Sequence, residues 1–153
     1  MRVRAADPRD LGALARLVDG HALFARYGTE PAALEHALAA GLVAGDVVLA
    51  AEEDGRPQGL AWWSPRGAFA RSPYLRLLVV AHDAAGRGTG TALMDAFEAA
   101  AFAAAADAFA LVTIDNDAAR RFYARRGYAE VGQLPDYVRE GITEVVLRKR
   151  RSG

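Results

Sequence analysis

Tyr74 to Val80 is a dense strand-forming run that stops just before Gly86-Arg87-Gly88-Thr89-Gly90. A helical pattern follows from Thr89 to about Ala106, with Leu93, Met94, Phe97 and Ala101 on one face, and Phe109 to Ile114 reads as a second strand. Two parallel strands joined by a crossover helix close in one hand only, so this unit fixes the centre of any fold the chain can adopt.

The flanking elements are shorter. Arg2 to Ala6 reads as a strand, and Asp7-Pro8 has the form of an N-cap with proline in the first helical position. Leu11, Leu14, Leu17 and Val18 then recur at helical spacing until Gly20. A second helix is predicted from near Thr29-Glu30-Pro31, with Leu34 and Leu38 on one face, and His21 to Gly28 links the two. Asp46 to Glu53 and Arg56 to Ser64 are predicted strands joined by Asp54-Gly55, a pair suited to the positive φ angles of a tight hairpin. Trp62 and Trp63 on such a strand point to opposite faces, which places one of them in the core. Pro65 to Pro73 reads as a loop. After the central unit, Asp115-Asn116-Asp117 can cap a short helix ending at Gly127, and Glu144 to Arg148 reads as a final strand. The expected class is α/β of the α+β type: a mixed, largely antiparallel sheet flanked by helices, with one parallel strand pair, in a single domain spanning 1–153.

Composition removes several functions. The net charge of zero argues against nucleic acid as a partner, because neutralising phosphates needs clustered Lys and Arg. Without cysteine there is no disulfide framework and no thiolate nucleophile, and three scattered histidines give a metal site no support, so no metal is expected. Ala96 to Ala110 is mostly alanine, interrupted by Glu98 and Asp107, and too weakly apolar to span a bilayer. No signal-peptide run is visible, which makes a cytoplasmic location, with no membrane partner, the default.

Glycines that open a helix aim free backbone N–H groups at one point, where the helix dipole adds positive potential. Gly86 to Gly90 could therefore bind an anion, with Arg87 and Thr89 as added donors; the same glycines could equally serve only to make the turn tight. The P-loop pattern fails, because Gly90 is followed by Thr91-Ala92 rather than by Lys and Ser or Thr. A dinucleotide fingerprint fails too, because Thr91 stands where Gly or Ala is required.

The stretch Leu78 to Gly90 resembles the cofactor motif of the GNAT superfamily of N-acetyltransferases, Arg/Gln-x-x-Gly-x-Gly/Ala. Asn116-Asp117-Ala118-Ala119-Arg120-Arg121-Phe122-Tyr123-Ala124-Arg125-Arg126-Gly127-Tyr128 is similar to that family's second segment, Asn-x-x-Ala-x-x-Phe-Tyr-x-x-x-Gly-Phe/Tyr. The resemblance implies that the parallel strands splay apart around the pantetheine of acetyl-CoA or another acyl-CoA. Backbone groups of Leu78, Val79 and Val80 would hold it, and Gly86, Arg87, Gly88, Thr89 and Gly90 would take the pyrophosphate. Asn116 and Tyr123 would face the cofactor, Tyr123 as the acid that protonates the leaving thiolate. A phenol of pKa near 10 suits that task. The acceptor implied is a primary amine on a small molecule or a peptide, and a homodimer is left open.

Ala85 stands where the family usually has Arg or Gln, so one side-chain contact is expected to be missing. Ribosomal-protein N-terminal acetyltransferases of the superfamily have a Glu five residues before the Asn; here that residue is Leu111. Glu52, Glu53, His82, Asp83 and Asp115 lie near predicted strand ends, and none is assigned as the base. Arg120, Arg121, Arg125 and Arg126 either meet the 3′-phosphate or complement a helix terminus. His21, Phe24, Tyr27, Asp136 and Tyr137 fall in segments that line the acceptor site in similar enzymes. The departures at Ala85 and Leu111 leave a second reading, an acyl-CoA-binding or regulatory module without catalysis.

Overall fold

The computed structural model describes residues 1–153. The strands are β1 (Arg2–Ala5), β2 (Val47–Glu53), β3 (Arg56–Ala68), β4 (Ser72–Val80), β5 (Asp107–Thr113), β6 (Ala129–Pro135) and β7 (Thr143–Arg150). They form one seven-stranded sheet in the order β1-β2-β3-β4-β5-β7-β6. Every neighbouring pair is antiparallel except β4 with β5. The helices are α1 (Leu11–Ala15), α2 (Ala22–Arg26), α3 (Pro31–Val43), α4 (Thr89–Ala104) and α5 (Asp117–Arg125). This is the mixed sheet with one parallel crossover that the sequence predicts.

Each sheet face has its own core. Leu93, Met94, Phe97 and Ala101 of α4 pack with Trp63, Leu75 and Val112 on one side. On the other, Leu11 and Leu14 of α1 and Leu34 and Leu38 of α3 pack with Leu60, Trp62 and Val79. A central strand covered on both faces buries both members of a neighbouring pair, so Trp62 (6% exposed) and Trp63 (4%) are both core, where the alternation argument assigned one. No helix is long and apolar enough to cross a membrane.

Some boundaries differ from the sequence reading. Asp7 caps as expected, accepting from Arg9 N at 2.8 Å while its own N–H donates to Asp10 at 2.8 Å. The first helix, however, is a short α1 between 3-10 turns at Pro8–Asp10 and Arg16–Val18. α2 lies inside the segment read as a link, and α4 ends at Ala104 because Ala105 turns extended. Pro65 to Pro73 is no loop: β3 runs to Ala68, β4 starts at Ser72, and Arg71 N closes on Ala68 O at 3.0 Å. β6 had no counterpart in the sequence reading; it is an edge strand, and all but one of its residues are exposed.

Candidate functional site: the cleft between β4 and β5

The β4–β5 pairing covers only Tyr74 with Phe109 and Leu75 with Ala110. On its other edge β4 pairs with β3, where Trp62 faces Leu77 and Trp63 faces Leu75, so Arg76 is the extra residue of a β-bulge. A bulge bends its strand and re-aims the side chains beyond it. Leu75 accordingly packs on the α4 side of the sheet and Leu77 on the α1–α3 side. Past Leu75 the strands part, and the edge of β4 that faces β5 has no strand against it.

The parting opens a cleft of about 330 Å³. Leu77 and Leu78 form one wall, Leu111, Val112 and Thr113 the other. Asn116, Ala119 and Tyr123 of the α5 segment line it from one side of the sheet, Phe24 of α2 and Tyr27 just after α2 from the opposite side. It is therefore lined from both faces of the sheet.

Beyond β4 the chain makes a 3-10 turn at His82–Ala84 and enters α4 through Gly86 (φ +77°) and Gly88 (φ +81°). Both φ values favour glycine, and a Cβ at either position would meet nothing within 4 Å, so the space over the turn is open to a ligand. Gly88 is the N-cap and no side chain caps the helix start, which leaves the first N–H groups of a 16-residue helix for an anion. A Cβ at Gly90 would lie 3.6 Å from Val80 Cγ2 and 3.7 Å from the Phe122 ring, so there the glycine lets α4 approach β4 and α5. Arg87 is exposed, with a 3.7 Å ion pair to Glu53. Thr89, the first residue of α4, is 2% exposed. The Val79 side chain is likewise turned into the α1–α3 core, leaving its backbone. Ala85 lies exposed beside the turn.

Asn116 is the N-cap of α5, and its Oδ1 accepts from Ala119 N at 3.2 Å. The amide group of the side chain remains for the cleft that Asn116 lines. Asn116→Ala should lower unfolding stability by about 1 kcal/mol in cofactor-free protein, and Asn116→Asp should restore it. Urea titration of the three proteins checks this.

Tyr123 is 7% exposed, with its ring edge-on to Phe122 and Tyr128, each at 5.4 Å between centroids. Burial pushes its phenol above the ordinary range, and Arg126 pulls it back only in part. Arg126 itself is occupied: it donates to Asp95 at 2.7 Å and to Glu98 at 3.1 Å, tying α5 to α4. Arg120 pairs with Glu130 at 2.7 Å. Arg121 and Arg125 are the exposed members of that arginine group.

Of the five acid–base candidates near strand ends, none lines the cleft. Glu52 pairs with Arg4, Glu53 with Arg87 and Asp115 with Arg26. His82 stacks on His21 at 4.0 Å and bonds Gly20 O, and Asp83 is exposed. The stacking also holds His21 outside the cleft, unlike Phe24 and Tyr27. Asp136 accepts from Gly141 N at 2.6 Å in the β6–β7 turn, and Tyr137 lines a neighbouring apolar hollow.

The acid that does line the cleft is Glu144, 4% exposed and paired across the sheet with Thr113. The Tyr27 hydroxyl donates to Glu144 Oε2 and lies 2.7 Å from Thr113 Oγ1. Burial and then the bond to Glu144 push the Tyr27 phenol up to about 12. Sequence reasoning placed Glu144 on a strand but gave it no role. The available signal was a carboxylate inside an otherwise apolar strand run, Glu144-Val145-Val146-Leu147.

The fold matches that of solved acetyltransferases. A putative GNAT-family acetyltransferase from Desulfovibrio desulfuricans superposes with a TM-score of 0.82 at 22% identity, covering 97% of this chain and 98% of that one. Ribosomal-protein-alanine N-acetyltransferase from Brucella melitensis gives 0.78 at 23% identity, covering 99% and 100%. A putative acetyltransferase from Salmonella typhimurium, solved with its cofactor acetyl-CoA, gives 0.78 at 18% identity, covering 100% and 95%. No curated protein matches the sequence. Residues 16–128 match the acetyltransferase (GNAT) family, and the chain belongs to that family.

Proposed function

We propose that this chain, acting as one domain, transfers the acetyl group of acetyl-CoA directly to a primary amine on a small molecule or peptide. The observation that carries the reading is the buried Tyr123 phenol on the wall of a cleft whose opposite lip is an unpaired strand edge. Acetyl-CoA supplies an activated thioester. Backbone groups of Leu78, Val79 and Val80 bind the pantetheine as an added strand would. A β4 amide steadies the charge that develops on the carbonyl oxygen. The amides of Gly86 to Gly90, with Arg87, take the pyrophosphate, and Asn116 orients the pantetheine from α5. Tyr123 gives its proton to the departing sulfur. The open space over Gly86 and Gly88 supports this fit. With Ala85 beside the turn, the grip falls on backbone amides, so binding is expected to be weakened rather than lost.

Titrating the purified protein with acetyl-CoA, alongside a thiol-release assay over a broad amine panel, tests the reading. Saturable binding with amine-dependent release is the expected result. Saturation without turnover on any amine would favour a binding module, and no binding at high micromolar acetyl-CoA would remove the proposal.

A further inference from the structure

Among the residues lining the cleft, Glu144 is the one carboxylate and Arg76 the one cationic side chain. They stand on opposite walls, Arg76 on the bulge of β4 and Glu144 on β7 beyond β5. Both are on the α1–α3 side of the sheet: the Arg76 guanidinium lies 4.4 Å from the centre of the Trp62 ring, and Glu144 is bonded by Tyr27, just after α2. The Tyr74 phenol senses both. Burial raises it first, Arg76 then lowers it, and Tyr137 and Glu144 raise it further. Arg26, which also feels Glu144, is taken up by Asp115 at 2.9 Å, and Arg76 has no carboxylate within ion-pair distance. Beside the cleft, a second hollow of about 410 Å³ shares Tyr74 and Leu111 with it and is lined almost wholly by apolar side chains, Phe109, Leu134 and Val146 among them.

We propose that the acceptor is a free α-amino acid with a large apolar side chain, its ammonium on Glu144, its carboxylate on Arg76 and its side chain in the hollow beyond Tyr74. The inference rests on the acetyl transfer proposed above and assigns the acceptor half of that site.

Charge complementarity argues for the zwitterion. A polyamine would bring extra positive charge to a cleft with one acid, and a simple amine would leave Arg76 unused. A guanidinium is matched by a carboxylate through two parallel N–H donors. Glu144 also has chemical work to do. An amine of pKa near 10 is almost wholly protonated at pH 7, and it cannot attack until a proton has left. Glu144 takes that proton, and the freed lone pair forms the N–C bond as the C–S bond breaks and its electron pair goes to sulfur. Of the three ammonium protons, one leaves to water through Glu144, one stays on the amide nitrogen, and one replaces the proton that Tyr123 gives to sulfur. Tyr27 keeps Glu144 aimed at the cleft, and Thr113 holds Tyr27.

The test compares L-leucine and L-phenylalanine with isoamylamine and phenethylamine, the same bodies without the carboxylate, in a thiol-release assay. The amino acids should be preferred at least tenfold in kcat/KM, and Arg76→Gln should erase the preference by raising KM for the amino acids alone. Glu144→Gln should lower kcat at least tenfold while leaving acetyl-CoA affinity unchanged. Equal use of amino acids and amines, or no use of either amino acid by protein that binds acetyl-CoA and acetylates another amine, overturns the proposal. Failure to bind acetyl-CoA at all would instead remove the reaction on which it rests. Circular dichroism of both variants confirms that they fold.

Discussion

Tyr123→Phe is expected to lower the rate of acetyl transfer about a hundredfold, the usual contribution of a positioned general acid, with little change in acetyl-CoA affinity. The substitution is clean because the edge-to-face contacts with Phe122 and Tyr128 depend on the ring, which remains. The pH profile gives an independent check, and its sign follows from burial. Taking the phenol out of water disfavours phenolate, so its pKa is raised and the hydroxyl stays protonated beyond the ordinary value near 10. The wild-type kcat should therefore show no fall attributable to this group below about pH 10. An alkaline limb near pH 8 that disappears in Tyr123→Phe, or unchanged turnover in the variant, would remove the acid role.

A second large effect is expected at the helix entrance. Gly88→Trp should abolish saturable acetyl-CoA binding, because the indole would fill the open space over the first N–H groups of α4. Gly88 has φ +81°, so any side chain there carries a backbone penalty of about 1–2 kcal/mol. Gly88→Ala carries the same penalty without the bulk and serves as the control. It should share the modest fall in melting temperature and keep acetyl-CoA affinity within about tenfold. Equal loss of binding in both variants would mean that backbone strain, not occlusion, was responsible.

Two hairpins explain which parts of the fold the sequence disclosed. Asp54-Gly55 turns with φ of +50° and +74°, as its residues advertise. Phe69-Ala70 makes an equally tight turn with φ of +58° and +54°, yet neither residue type prefers that conformation, so the segment reads as a loop. Tertiary pairing of β3 with β4 overrides the local preference. β6 was silent for a different reason: an exposed edge strand has no buried face to impose alternation, and its register shifts between Glu130 and Gly132. The cofactor half of the candidate site was visible because its residues are close in sequence, between Leu78 and Tyr123. Of the other half, Phe24 and Tyr27 were named through the family resemblance, whereas Arg76 and Glu144 were not, because only the folded sheet brings them to one cleft.

The sparse pairing of β4 with β5 has a mechanical consequence. Two registered residue pairs are the whole ladder between a four-stranded plate, β1 to β4, and a three-stranded plate, β5, β7 and β6. The plates meet at Tyr74 and Leu75 and part beyond them. On the reading proposed here, the pantetheine amides serve as temporary rungs. Each turnover would then brace the sheet and unbrace it again, and the rate of product departure and the rigidity of the fold would be governed by the same few hydrogen bonds.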